Sequence, residues 1–445
     1  MLVSLLSPIV RLALWIFFRN IDIRGRHQVP QHRPVVFVAN HPNVMLDILL
    51  LAASVPAEVP RFLGKSTLLK RRIYAFFFKH LGMIAVSRSQ DADAGLGRNQ
   101  AMLRAACQTL KNGHNLALFP EGLSHADRQV RALKPGAARI ALRAIDESDG
   151  RADVCIVPVG LAYSDPGLFR SEVAVHFGAP IEVRPYLDAY RQNRGQGAGA
   201  LTTRIHQDLV DLTWHVEDTD LETVVEDLST VYGGQVIDAV DETIERSRSL
   251  RAGQEIIQAV HHFADRDPEL VQSFAARLRR YRRKVQYLGL APQTLSENGE
   301  NRSLKHALLA VFCAPLALYG FLNNALPYFL PRLFARPHQQ TPEMVGTIKL
   351  AVGAIAFPLY YLIRVGVAYS LCSPYYALLY GATLPLSALF ALFYSERILE
   401  KWPLWRSLVQ PRQRNYYLNR LAAERDQLVR DLDAVKERYL ALRQS

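Results

Sequence analysis

Between residues 304 and 394 the chain carries three apolar segments, about 304–330, 347–369 and 371–394. Each is near the ~20 residues that a helix needs to cross a bilayer. This block constrains the fold more than any other feature. It demands either a lipid environment or a buried helical bundle. The Arg-rich block RLRRYRRK (277–284) precedes it and an Arg-rich tail follows it. Basic flanks belong on the cytosolic side, so an even number of crossings is expected. Lys349, Pro358 and Arg364 weaken the middle segment as a span. The expectation is two crossings plus a re-entrant or interfacial segment.

The formal net charge of +12 favours anionic partners. Nucleic acid and an anionic membrane surface both qualify. The apolar block decides for anionic membrane lipids, and no nucleic-acid-binding module is recognisable. Cys107, Cys155, Cys313 and Cys372 lie far apart and form no CxxC pair. They read as buried thiols in a reducing compartment, with no disulfide framework and no metal site. The start, MLVSLLSPIVRLALWIFFRN, has an apolar run without a basic n-region or a small-residue cleavage site. It is short for a span and reads as an interfacial helix, with Trp15 at the boundary and Arg19, Arg24 and Arg26 facing the cytosol.

The next 190 or so residues alternate between strand and helix patterns. IDIR, PVVFVAN, RFLGKS, MIAVSRS, NLALF, VCIVPVGLAY and VAVHFGAPIEV read as strands. The stretch after Asp47, residues 97–112 and KPGAARIALRAI read as helices. Such alternation implies an α/β sandwich with a largely parallel sheet. The expected division is an interfacial helix over 1–24, an α/β domain over 25–215, a charged helical region over 216–303, membrane or re-entrant segments over 304–394 and a charged C-terminal helix over 395–445. LLKRRIYAFFFKHLG, with basic and aromatic runs side by side, is a further candidate for contact with lipid. The tail mixes both charges at helical spacing and reads as a solvated helix or a coiled coil.

Four strings sit at strand ends, where side chains of chemical use collect. In NHPNVMLDILL, His41 and Asp47 are six apart, about 240° round an ideal helix, and so do not share a face. A pairing between them needs a non-helical turn, which Pro42 and Asn43 supply. An imidazole held by a carboxylate on one nitrogen accepts a proton on the other. The capping of an ordinary turn is the competing reading. GMIAVSR ends in Arg88, a residue type suited to gripping a phosphate, or to an ordinary surface. LFPEGLSH places Glu121 at a turn, Gly122 where backbone can approach a ligand, and Ser124 beside them. Lys134 follows, next to a Pro-Gly turn and a helix N-terminus that can hold an anion. In IVPVGLAY, Pro158 reads as a strand breaker or an edge-strand proline.

In this order the four strings resemble the glycerolphosphate acyltransferase superfamily over about residues 25–215. The family's marks are a His/Asp block, a Gly–Arg block, an FPEG block and a V-P block. The resemblance implies that His41 is the general base for a substrate hydroxyl and that Asp47 fixes its tautomer. It implies that Arg88 and the Glu121–Gly122 turn bind the glycerol phosphate, and that Pro158 shapes the acyl-donor pocket. Ser124 and Lys134 join as phosphate or turn candidates. The donor would be acyl-CoA or acyl carrier protein, used as a substrate, with no cofactor. The acceptor would be glycerol-3-phosphate or lysophosphatidate. Two departures from the common pattern stand out: five residues separate His41 from Asp47 instead of four, and FPEGLSH replaces FPEGTRS. Both resemble the branch that acylates glycerol-3-phosphate or dihydroxyacetone phosphate at the first position, as does LTWHVEDTDLETVVEDLSTVYG. The missing Arg after FPEG leaves the phosphate contacts open. A membrane location with the catalytic domain facing the cytoplasm follows. A non-catalytic lipid-binding scaffold on the same fold is the competing class.

Overall fold

The structure is a computed structural model. It describes residues 2–56, 58–65, 83–86, 96–126, 129–148, 151–213, 259–260, 262–264, 266–287, 300–338, 341–396 and 412–444. Two units separate by internal contacts. One comprises residues 1–215 with 335–350, the other 216–334 with 351–445.

The first unit is built on a sheet of eight strands: β1 (Asn20–Arg24), β2 (Val35–Ala39), β3 (Arg61–Lys65), β4 (Ile84–Val86), β5 (Leu116–Leu118), β6 (Cys155–Tyr163), β7 (Glu172–Phe177) and β8 (Ile181–Glu182). Their spatial order is β1-β7-β6-β2-β5-β3-β4, with β8 also on β6. Pairings β1–β7, β2–β6, β2–β5, β3–β5 and β3–β4 are parallel, while β7 and β8 run antiparallel to β6. The sheet is therefore largely parallel, as the alternation implied. It begins earlier than expected, because Asn20–Arg24 pairs with β7 and is not part of the N-terminal helix.

β2 is buried at every position, which explains its unbroken apolar run. A central parallel strand meets helices on both faces and has no polar side. Val36 and Val38 pack with α3 (Leu96–Lys111), α4 (Gly136–Asp146) and α6 (Arg194–Leu212), the last entered through the short α5 (Leu187–Gln192). Val35, Phe37 and Ala39 pack on the opposite face with α1 (Leu2–Phe17) and α2 (Val44–Ser54). The inner face of α1 buries Leu14 and Phe17, Phe18 is buried just after it, and Ile9, Leu12 and Trp15 are exposed. Pro158 departs from expectation. β6 runs through it without a break and is an interior strand. The absent N–H faces the gap between β7, which ends at Phe177, and β8, which starts at Ile181, and there the Pro158 carbonyl accepts from Gly178.

The second unit contains α7 (Pro268–Tyr287), most of α8 (Glu300–Ala335), α9 (Pro342–Leu371) from residue 351 on, α10 (Pro374–Tyr394) and α11 (Arg412–Gln444). Among the described residues three helices, Leu309–His338, Pro342–Leu371 and Pro374–Tyr394, are long and apolar enough to cross a membrane. The middle one continues through Pro358. Large side chains such as Val311, Phe312, Leu362 and Leu378 stand exposed along these helices, a surface that suits lipid. Polar side chains hydrogen-bond between them: Arg364 donates to Asn323 at 2.7 Å, and Tyr361 to Asn324 at 2.7 Å. The tail is not simply solvated. Arg277 donates to Asp431 and Lys284 to Glu424, each within 2.6 Å, and Leu278, Tyr281, Leu421 and Leu428 are buried. The basic block 277–284 is thus partly neutralised within the chain.

Candidate active site

β2, β5 and β6 run parallel side by side, so their carboxyl ends open on one edge of the sheet. In open α/β sheets that edge is where loops form a ligand crevice. The chain leaves β2 at Asn40, which is buried and bonds Leu161 through both its side-chain atoms. That exchange continues the β2–β6 ladder by one side chain and fixes where the next residue, His41, starts. Asn43 is extended, with φ −148° and ψ 108°, and α2 begins at Val44. The helix starts three residues earlier than Asp47, which sits in its first turn.

This turn brings the His41 Nδ1 within 2.8 Å of Asp47 Oδ2. Asp47 has no solvent-exposed side-chain surface, while 14% of the His41 side chain is exposed. The Asn43 N–H donates to the same Asp47 oxygen at 2.6 Å, and the Tyr163 hydroxyl donates to Oδ1. Burial pushes the Asp47 carboxyl above its ordinary range, and the bonds from His41, Tyr163 and Asn43 oppose that shift. Burial, and then the neighbouring Asp47, hold the Tyr163 phenol far above its usual range, so it stays a donor. With Nδ1–H assigned to Asp47, Nε2 is left as the accepting nitrogen.

The loop after β5 closes over the same point. The Phe119 ring stacks on the His41 imidazole with centroids 4.0 Å apart. The His125 N–H donates to the His41 carbonyl at 3.1 Å, tying the two loops together. Glu121 is buried and bonds His125 through Oε2, while its Oε1 has no partner among the described residues. Gly122 has φ +77°, a left-handed conformation that a Cβ would strain. A Cβ there would also lie 2.7 Å from the Lys134 Nζ, so that ammonium sits directly against the turn. The Lys134 N–H is held by the Pro120 carbonyl at 2.9 Å, just before the N-terminus of α4. Ser124 is half-buried on the same loop.

The structure therefore brings His41, Asp47, Glu121, Gly122 and Lys134 to one edge of the sheet. Pro158 lies within β6, opposite Val38, and its ring packs towards Gly178. Arg88 lies outside the described residues, as do the basic and aromatic runs at 70–78 and most of 216–303. Three participants were not singled out by sequence reasoning. His125 stood in a quoted string without a role, and Phe119 stood beside it. Tyr163 ends its strand 116 residues from Asp47 and gave no local signal.

Residues 20–162 match the family model described as Acyltransferase. Over 79% of its length the chain is 24% identical to glycerol-3-phosphate O-acyltransferase 1 of Saccharomyces cerevisiae, of which it spans 58%. It is 22% identical, over 41% of its length and 67% of the relative's, to 1-acyl-sn-glycerol-3-phosphate acyltransferase of Borreliella burgdorferi. Among solved structures it is similar to the 1-acyl-sn-glycerophosphate acyltransferase of Thermotoga maritima, with TM-score 0.36 and 20% identity over 47% of this chain and 79% of that one.

Proposed function

We propose that this chain transfers a fatty acyl group from an acyl thioester to a hydroxyl of glycerol-3-phosphate at a membrane surface. The observation that carries the proposal is the His41–Asp47 bond at 2.8 Å, seated beside the Glu121–Gly122–Lys134 turn. Asp47 holds Nδ1–H, so Nε2 accepts the proton of the substrate hydroxyl as its oxygen attacks the thioester carbonyl. The tetrahedral intermediate collapses to an ester. The same proton passes from His41 to the departing thiolate, and the base is regenerated. Lys134 and the first amides of α4 offer positive charge for the acceptor's phosphate. The buried Glu121 carboxylate, with Oε1 unpartnered, is suited to accept from a second hydroxyl of the glycerol. The three long apolar helices support a membrane setting, into which acyl chains and product partition. The exposed Ile9, Leu12 and Trp15 of α1 fit an interfacial contact on the cytoplasmic face.

Lysophosphatidate is the second acceptor, favoured by the relative from Borreliella burgdorferi whose name specifies it. Membranes containing the full chain, given labelled acyl-CoA and each acceptor in turn, separate the two. Saturable acylation of glycerol-3-phosphate is expected, with His41→Ala lowering kcat by at least ~100-fold. Acylation of lysophosphatidate alone moves the assignment to the second position of glycerol. Full activity in His41→Ala removes the general-base role, and inactivity with every acceptor favours a lipid-binding scaffold.

A further inference from the structure

A helix N-cap usually satisfies one of the first amides of its helix with its own side chain. Asn43, the N-cap of α2, does not. Its side chain turns away, with Nδ2 donating to the Pro166 carbonyl at 2.7 Å and Oδ1 accepting from the Thr347 hydroxyl at 3.0 Å. The same Thr347 oxygen accepts from the Met45 N–H at 3.1 Å. Met45 carries one of the four leading amides of α2 that lack an intrahelical partner. A residue 304 positions further along the chain thus supplies the cap that Asn43 withholds.

The approach is close, and the residues around Thr347 are suited to it. A Cβ on Gly346 would lie 2.4 Å from the Pro166 carbonyl oxygen and 2.9 Å from Asn43 Nδ2. Lys349 donates to the Gly167 carbonyl at 2.6 Å, on the same loop as Pro166. Leu350 packs against the apolar cluster that holds α2. Residues 335–350 belong to the sheet-bearing unit although they follow the first apolar helix in sequence.

We infer that Thr347 is a positioning residue for the proposed acyl transfer, setting the His41–Asp47 geometry through Asn43. The route is short. Thr347 holds both ends of the Asn43–Met45 turn, the Asn43 amide holds Asp47 Oδ2, and Asp47 Oδ2 holds His41 Nδ1. A small displacement of a general base costs rate without weakening substrate binding. The inference rests on the acyltransferase reading, and the experiment separates the two.

Thr347→Val keeps the shape and removes both hydrogen bonds, and Thr347→Ser keeps the hydroxyl. The full chain in membranes is assayed with glycerol-3-phosphate and acyl-CoA. In detergent its hydrogen exchange is followed by mass spectrometry over peptides covering Asn43–Asp47 and, as a reference, β2 and β6. The valine variant is expected to lower kcat roughly 10- to 100-fold with KM within about twofold of wild type. Exchange should quicken at Asn43–Asp47 and not in β2 or β6. The serine variant should restore both readouts. Unchanged exchange at Asn43–Asp47, faster exchange with unchanged kcat, or a general loss of protection each overturns the inference. A wild-type chain that acylates no glycerol phosphate defeats the proposed function instead, and exchange still decides whether Thr347 holds the turn.

Discussion

Asp47 takes three donors on two oxygens and exposes none of its side chain. An amide in its place could not accept from all three. It would also carry no charge to stabilise the imidazolium that forms as the base takes its proton. Asp47→Asn is therefore expected to lower kcat by ~10⁴-fold, the scale seen when an orienting carboxylate is lost, with folding retained. A steady-state assay beside a melting curve checks this, and a change under tenfold would refute the orienting role. The His41–Asp47 pairing was legible because a proline and an asparagine stand between them, and those residues make turns. Tyr163 was not legible. It reaches Asp47 through the length and register of β6, which runs four residues past the pairing of Ala39 with Val159.

At the scale of elements, α2 has two tasks: it covers the sheet and it presents Asp47 from its first turn. Leu46, Leu50 and Leu51 are fully buried on the face shared with Phe37 and Val157. Leu50→Ala deletes three carbons from that layer and leaves a cavity. The expected cost is ~2–5 kcal/mol of stability, read by chemical denaturation of the purified chain. The strands were legible by composition, since each apolar run bounded by a turn residue became a strand. Pro158 was misread because an isolated proline usually marks an edge, whereas here the carbonyl alone maintains its contact with Gly178. The packing partner of the tail was not legible for a different reason. The tail's charges are at helical spacing, and nothing local to it says that Asp431 and Glu424 meet Arg277 and Lys284.

For the molecule as a whole, the buried thiols make stability depend on pH. Burial pushes Cys107 and Cys155 up to about 11 from the usual 9.0. A folded-state thiol that ionises late holds its proton when the unfolded chain has already released it. Stability is thus unaffected below about pH 9, falls as pH rises from about 9 to 11, and does not recover above. Calorimetric unfolding of the detergent-solubilised chain across that window checks the fall. The Cys107→Ala, Cys155→Ala double variant should show a shallower slope, and an equal slope would place the titration elsewhere. The division of the chain also belongs to this scale. Composition puts a boundary near residue 215 and starts a new region there, but 335–350 return to the sheet-bearing unit.

The sequence by itself determined the elements and named the candidate residues. Apolar runs buried on both faces could only be central strands, segments of membrane length could only seek lipid or each other, and four strings at strand ends, with the segment after the third, named His41, Asp47, Arg88, Glu121, Gly122, Ser124, Lys134 and Pro158. Such features are local, because periodicity and turn residues act within a few positions. Tertiary structure decided what reaches across the chain: Tyr163 on Asp47, Phe119 stacked on His41, the His125 N–H on the His41 carbonyl, and Thr347 capping α2. Each of these is one hydrogen bond or one ring contact between residues that sheet order or chain return brings together. No pattern in the intervening residues encodes such a meeting.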